Sequence, residues 1–65
     1  MKNDLAALRL AKNISQETLA KTVGVSRQTV ISIEKGRFSP TLGLAFRLAK
    51  FFDCSIEAIF EPELD

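Results

Sequence analysis

The sequence predicts an all-α fold, a compact domain of five short helices around one core. Residues that favour helix N-caps recur directly before apolar residues at helical spacing, and glycine or proline follows most of these stretches. No window alternates polar and apolar residues between turns, as a half-buried strand would. With 65 residues, of which 46% are hydrophobic, the chain suffices for one modest core and a single domain over residues 1–65.

The first three helices are predicted from apolar spacing and from the residues that flank it. An apolar face predicts a first helix over about residues 3–12. Ser15 is expected to cap a second helix that Gly24 ends, and Ser26 a third helix that Gly36 ends. Each of these two helices is therefore only about two turns long.

Two further helices complete the predicted fold. Thr41 is expected to cap a longer fourth helix, and Ser55 a short fifth helix that ends at Pro62. Apolar residues at helical spacing then predict the inward faces of the second to fifth helices. The expected core residues are Leu19, Ala20, Val23, Val30, Ile33, Leu44, Ala45, Leu48, Phe52 and Ile59.

Composition excludes several classes of function. With one cysteine and no histidine, we expect no metal site, because structural zinc needs about four Cys, His or carboxylate ligands. Cys54 is expected to be a small apolar group in a reducing cytoplasm, since no stretch resembles a membrane span or a signal peptide. Without a histidine base, an activated thiol or a glycine-rich phosphate loop, the sequence predicts neither an enzyme nor a cofactor.

Charge is distributed unevenly along the chain, although the net charge is only +1. Residues 1–50 hold nine basic residues against three acidic ones, whereas residues 51–65 hold five acidic residues and no basic one. This separation allows a basic face that would attract nucleic acid. The alternative is an ordinary solvated charge distribution.

Residues 15–35, followed by the basic step to Arg37, are predicted to form two short helices joined by a tight turn. Ala20 is small where the next helix must pack closely, and Gly24 permits the positive backbone angle of a sharp turn. Val25 is expected to fill the angle between the two helices. Such an arrangement holds the second helix of the pair at a steep angle, away from the body of the fold.

The outward face of that second helix carries residues suited to reading base edges. Arg27 offers a donor fork for guanine, Gln28 pairs its amide with adenine, and Ile31 offers an apolar contact to a thymine methyl group. A single such residue is more simply a solvated surface group. The occurrence of the whole set at the start of this helix favours DNA recognition.

The run from Ser15 to Phe60, including the turn, the caps and the step Glu34-Lys35-Gly36-Arg37, resembles the phage Cro and repressor family of helix-turn-helix proteins, the XRE family. It is similar to the short stand-alone bacterial regulators of that family over about residues 5–60. The resemblance implies a lambda-repressor-like fold and a sequence-specific, double-stranded DNA-binding transcriptional regulator. The third helix would then be the recognition helix and would lie in the major groove.

The resemblance also implies a role for individual residues. Base-reading positions of the family correspond to Arg27, Gln28 and Ser32. Some family members carry a polar residue where Ile31 and Ser32 stand here, and Ser32 is short enough to need a bridging water. Arg9 and Glu34 correspond to a buried ion pair, and a buried acid needs such a partner. The positions implied to contact DNA phosphates are Gln16, Ser26, Thr29, Lys35, Arg37 and Thr41.

A homodimer is expected because one such domain covers only part of a groove, and two recognition helices about 34 Å apart would read an inverted repeat. The five large apolar residues near the C-terminus exceed what one short helix buries, so Phe51, Phe60 and Ile56 are candidate interface residues. The alternative is that all five close the monomer core. Repression is expected, since blocking a promoter needs only binding; a protein-interaction module of the same fold is the second functional hypothesis.

Overall fold

Five helices follow one another along residues 1–62, which are the residues that the computed structural model describes. The predicted all-α, five-helix fold is confirmed. Glu63 and Asp65, which contribute to the acidic C-terminal segment, lie outside the described residues. The helices are α1 (Leu5–Ala11), α2 (Gln16–Val23), α3 (Arg27–Glu34), α4 (Leu42–Phe52) and α5 (Ile56–Ile59).

Side-chain caps begin four of the five helices, as predicted. The hydroxyl oxygens of the cap residues accept a hydrogen bond from the backbone amide three residues later, at 3.0 to 3.2 Å. These cap residues are Ser15, Ser26, Thr41 and Ser55. Because each bond closes within three residues, the sequence was sufficient to locate the starts of α2 to α5.

The first helix is shorter than predicted, because it starts at Leu5 rather than near Asn3. The Asn3 Oδ1 atom accepts a hydrogen bond from the Leu5 amide at 3.1 Å, so Asn3 caps the helix from outside it. The backbone of Asn3 instead forms an isolated antiparallel bridge with Phe60. This bridge is the one extended pairing within residues 1–62.

The core lies between all five helices and is built from aliphatic side chains. The residues less than 2% exposed are Leu5, Leu19, Val30, Ile33, Leu48 and Ile59. α2 packs chiefly on α3, and α4 contacts both α2 and α5. Cys54 is half-buried against this core. Among the described residues, no helix is long and apolar enough to cross a membrane.

The aromatic residues near the C-terminus are distributed differently from the prediction. Phe60 is 5% exposed and belongs to the core, whereas Phe52, which was expected there, is only half-buried. The reason is that α5 ends at Ile59, and Phe60 takes an extended conformation that pairs with Asn3. This conformation turns the ring towards the interior instead of continuing the helical face.

Candidate nucleic-acid interface

The turn between α2 and α3 has the predicted geometry. Gly24 has a φ of 77° and ends α2 in the left-handed region, which glycine adopts without a steric cost. Ala20 is buried where the two helices cross, and its carbonyl accepts the amide of Val25 at 2.9 Å. Since Ser26 immediately caps α3, the chain changes direction within three residues.

The amino-terminal turn of α3 presents two base-reading candidates to solvent. Arg27 and Gln28 are both exposed, and no hydrogen bond within the described part of the chain occupies either side chain. Ile31 and Ser32, one turn later, are half-buried. Val30 and Ile33 hold the opposite face of the helix in the core. Among the base-reading candidates of α3, the exposed side chains are therefore those of the first turn.

Two hydroxyl groups at the start of α3 are engaged with each other. The Oγ atom of Ser26 lies 3.0 Å from the Oγ1 atom of Thr29 and also accepts the Thr29 amide at 3.1 Å. One hydroxyl proton of the pair remains available, because only one proton lies between the two oxygens. The pair thus offers one donor, rather than two, to an anion at this end of the helix.

Three further candidate phosphate contacts surround the loop between α3 and α4. Lys35, Arg37 and Thr41 are exposed, and the Arg37 amide donates to the Ser32 carbonyl at 3.0 Å. Thr41 uses its hydroxyl oxygen to cap α4 and retains the hydroxyl proton as a donor. Two cations and a helix N-terminus therefore lie close together in sequence, after the end of α3.

A polar network links α1, α2 and the end of α3. The Arg9 guanidinium pairs with the Glu34 carboxylate at 2.7 Å and donates to the Ile14 carbonyl at 3.0 Å. The Gln16 amide donates to the second carboxylate oxygen of Glu34 at 3.0 Å. Gln16, at the first position of α2, is thus held by the last residue of α3, and one of its two amide protons remains for another acceptor.

The comparisons with known proteins decide the family of this chain. A family model described as helix-turn-helix matches residues 5–59. This chain belongs to the helix-turn-helix family. The family and the relatives below are transcriptional regulators rather than enzymes, in agreement with the sequence-based expectation.

Two relatives and one solved structure illustrate the similarity. An uncharacterised HTH-type transcriptional regulator of Methanocaldococcus jannaschii is 57% identical over 65 residues, which are 100% of this chain and 98% of that protein. The cryptic phage CTXphi transcriptional repressor RstR of Vibrio cholerae is 39% identical over 75% of this chain and 44% of its own length. The crystal structure of the restriction-modification controller protein C.AhdI from Aeromonas hydrophila superposes with a TM-score of 0.77 at 38% identity, covering 86% of this chain and 85% of that one.

Two of the three predicted interface residues of this helix-turn-helix protein, Ile56 and Phe60, lie on one surface, which Phe51 does not line. Phe60 is buried in the monomer but lines the same groove as Ile56, so its interface role stays a prediction. The Phe51 ring packs edge-on against Phe52 with 4.9 Å between centroids, and the Lys12 ammonium lies 5.3 Å from its centre. Ile56 is half-buried and lies instead on an apolar groove between α4 and α5.

Sequence reasoning missed the apolar residues that the fold leaves exposed. Leu42 and Phe46, one turn apart on α4, are 69% and 58% exposed, and Leu42 borders the groove next to Ile56. Leu10 on α1 is 66% exposed, and Phe38 is exposed in the loop after α3. The sequence feature that could have identified the exposed residues of α4 is that positions 42 and 46 are apolar but lie next to, not within, the apolar face that the helix turns inward.

Arg47 was also missed. Its Nε atom donates to the Val23 carbonyl at 3.0 Å, which is one of the terminal carbonyls of α2 that no helical amide satisfies. A guanidinium at a helix C-terminus is also favoured by the helix dipole. α4 thus supports the turn that precedes α3.

Proposed function

We propose that this chain is a sequence-specific, double-stranded DNA-binding repressor of transcription, with α3 as the recognition helix in the major groove. The observation that carries the proposal is the asymmetry of α3. Its carboxyl end is anchored by the Arg9–Glu34 ion pair, whereas Arg27 and Gln28 at its amino end are exposed and unengaged among the described residues. Arginine suits guanine and glutamine suits adenine in the major groove.

The backbone of the DNA would be held at both ends of α3. The Ser26–Thr29 hydroxyl pair lies at the amino end of α3, Gln16 contacts Glu34 at its carboxyl end, and Lys35 and Arg37 follow that end. Such contacts set the position and orientation of a protein on the duplex without reading sequence. Thr41 at the start of α4 adds a hydroxyl and a helix N-terminus, which favour an anionic partner.

A homodimer would place two copies of α3 on an inverted repeat. The apolar groove between α4 and α5 supports this arrangement, because it joins Leu42, Ala45 and Ile56 on a single surface. Burying an exposed leucine is favourable by about 1.5–3 kcal/mol. In this proposal the groove, which Ile56 and Phe60 line and Phe51 does not, is the dimer surface.

Repression is proposed because it needs only binding by a helix-turn-helix domain, and one relative supports it. Residues 1–65 act here as one helix-turn-helix domain with the motif at about residues 15–35, and occupancy of a promoter alone blocks transcription. One relative is a phage transcriptional repressor. Because the relatives come from archaea and bacteria, whose DNA lies in the cytoplasm, we assign the protein to that compartment.

Selection of bound sequences from random duplex DNA tests this function directly. We expect enrichment of an inverted repeat whose half-sites are centred about 10 base pairs apart, or a multiple of that distance. No enrichment at low salt would overturn the proposal. If the groove instead retained a protein partner while the chain ignored DNA, the protein-interaction hypothesis would replace it.

Alanine variants of three basic residues distinguish contacts to bases from contacts to the DNA backbone. Arg27→Ala is expected to relax preference at one base position in each half-site, whereas Lys35→Ala weakens all duplexes alike and lowers the salt dependence by about 0.9 in log–log slope for each half-site. Lys50→Ala, an exposed cation at the far end of α4, is the matched control and leaves both quantities unchanged. If the three variants changed base preference and salt dependence to the same extent, the assigned roles would be contradicted.

A further inference from the structure

Asn3 lies where three parts of the molecule meet. Its Oδ1 atom accepts the Leu5 amide at 3.1 Å, at the start of α1. Its Nδ2 atom donates to the Ile33 carbonyl at 2.8 Å, near the end of α3. Its backbone bridges to Phe60, in the segment that follows α5. One side chain and one peptide unit therefore contact the first helix, the recognition helix and the C-terminal segment.

The partners of the Asn3 side chain determine the orientation of its amide. Nδ2 faces two carbonyl oxygens, those of Ile33 and Met1, at 2.8 and 3.1 Å. Oδ1 faces a backbone amide. Only a group with two donors and an acceptor satisfies all three contacts. An aspartate of the same shape would keep the contact to Leu5 and lose both others, so the two functions of this side chain are separable.

The bond to Ile33 anchors the carboxyl end of α3. The last four carbonyls of a helix lack helical amide partners. The Ile33 carbonyl accepts the Gly36 amide at 2.9 Å and the Asn3 Nδ2 atom at 2.8 Å, and of these two donors only Asn3 lies on a distant part of the chain. The Arg9–Glu34 ion pair holds the next residue of the helix. An α-helix of eight residues is about 12 Å long, so a small rotation about this anchored end displaces Arg27 at the other end.

Residues 2–4 also hold the segment that follows α5. The Asp4 amide donates to the Ile59 carbonyl at 2.8 Å, and the Glu61 amide donates to the Lys2 carbonyl at 2.9 Å. These two bonds flank the Asn3–Phe60 bridge. The Phe60 side chain, in turn, lines the groove between α4 and α5. The groove and the recognition helix are thus connected through Asn3.

We propose that Asn3 is a positioning residue that sets the separation of the two recognition helices in the dimer. It does so by tying the end of each α3 to the segment that lines the dimer groove. This inference rests on the proposed function, a dimeric reader of an inverted repeat. Loss of the bond to Ile33 lets α3 shift relative to the dimer surface while its own base-reading side chains remain intact.

Spacing preference is the quantity that tests this role. Asn3→Asp is compared with wild type and with Asn13→Asp, the same change at an exposed asparagine. Affinities are measured for the duplex that wild type selects, for duplexes with one base pair added or removed between half-sites, and for a single half-site. Wild type and Asn13→Asp are expected to lose at least about tenfold in affinity on the altered spacings.

Asn3→Asp is expected to bind the selected duplex about tenfold more weakly, to discriminate between spacings less than about threefold, and to bind the half-site as wild type does. Retained spacing discrimination, or an equal loss on all duplexes including the half-site, would overturn the role of Asn3.

If the aspartate variant does not fold, Asn3→Ser replaces it, because serine accepts the Leu5 amide but is too short to reach Ile33. Failure of wild type to select any duplex would be a failure of the proposed function, whereas normal selection with unchanged spacing preference refutes only this inference.

Discussion

The Nε atom of Arg9 lies 2.7 Å from the Oε2 atom of Glu34, and the two side chains are only 12% and 8% exposed. This pair joins the first helix to the last residue of the recognition helix. Because both charges are largely removed from water, each depends on the other for compensation. The Gln16 amide adds a third member on the other carboxylate oxygen.

Removing either charge of this pair is expected to destabilise the fold more than removing both. Arg9→Met or Glu34→Met leaves an uncompensated charge and costs about 3 kcal/mol in the free energy of unfolding. The double variant Arg9→Met/Glu34→Met replaces both by apolar groups and is expected to cost less than either single change. Urea unfolding of the four proteins measures the coupling. Simple additivity of the two single changes would show that the pair contributes no coupling energy.

Leu42 is expected to be required for dimer formation. Leu42→Glu places a charge on the rim of the apolar groove, so the protein becomes monomeric and its affinity for an inverted repeat falls at least about tenfold. Leu10→Glu is the matched control, because Leu10 is also a leucine with about two thirds of its surface exposed, on a helix that does not line the groove. Sedimentation equilibrium measures the oligomeric state. A dimer that survives Leu42→Glu but not Leu10→Glu would place the interface on α1.

Phe60 is expected to behave as a core residue. Phe60→Ala removes a ring that is 5% exposed and costs about 3–4 kcal/mol, a large share of the ~3–10 kcal/mol expected for a chain of this length. Phe46→Ala removes a ring that is 58% exposed and is expected to change the stability of the monomer by less than about 1 kcal/mol. Chemical unfolding, at protein concentrations too low for dimers to form, measures the free energy of unfolding of both variants. Similar values for the two variants would contradict the burial of Phe60.

Two glycines are expected to respond to alanine in opposite directions. Gly24 has a φ of 77° with open space around it, so Gly24→Ala clashes with nothing but costs about 1 kcal/mol in backbone strain. Gly43 lies within α4, and an added Cβ would meet only the flexible end of Arg47 at 3.7 Å. Gly43→Ala is therefore expected to stabilise the protein by about 0.5 kcal/mol. Thermal unfolding distinguishes the two, and a stabilising Gly24→Ala would refute the left-handed turn.

The turn between α2 and α3 was predictable because its determinants are local. Ser15 and Ser26 each bond to an amide three residues away, and Gly24 carries the required backbone angle by itself. The exposure of Arg27 and Gln28 follows from the helical period once Val30 and Ile33 are directed inward. These parts of the candidate site need no knowledge of distant residues.

The roles of the apolar residues were less predictable because burial depends on where the chain turns back. Leu42 and Phe46 are apolar by sequence, yet both face solvent. Phe52 is half-buried against the core that it was expected to enter, whereas Phe60 is buried because the segment after α5 pairs with the segment before α1. No residue near Phe52 or Phe60 in the sequence indicates the bridge between Asn3 and Phe60, which spans 57 positions of the chain.

By itself the sequence determined the helices, their caps, the turn and the side chains that α3 offers to a duplex, because these depend on hydrogen bonds and periodicities within a few residues. Only the tertiary structure decided which aromatic ring fills the core, which apolar face remains exposed, and how Asn3 connects α3 to the C-terminal segment. Those features arise from contacts between residues far apart in the chain. Their free energy depends on the packing of the whole molecule rather than on any short segment.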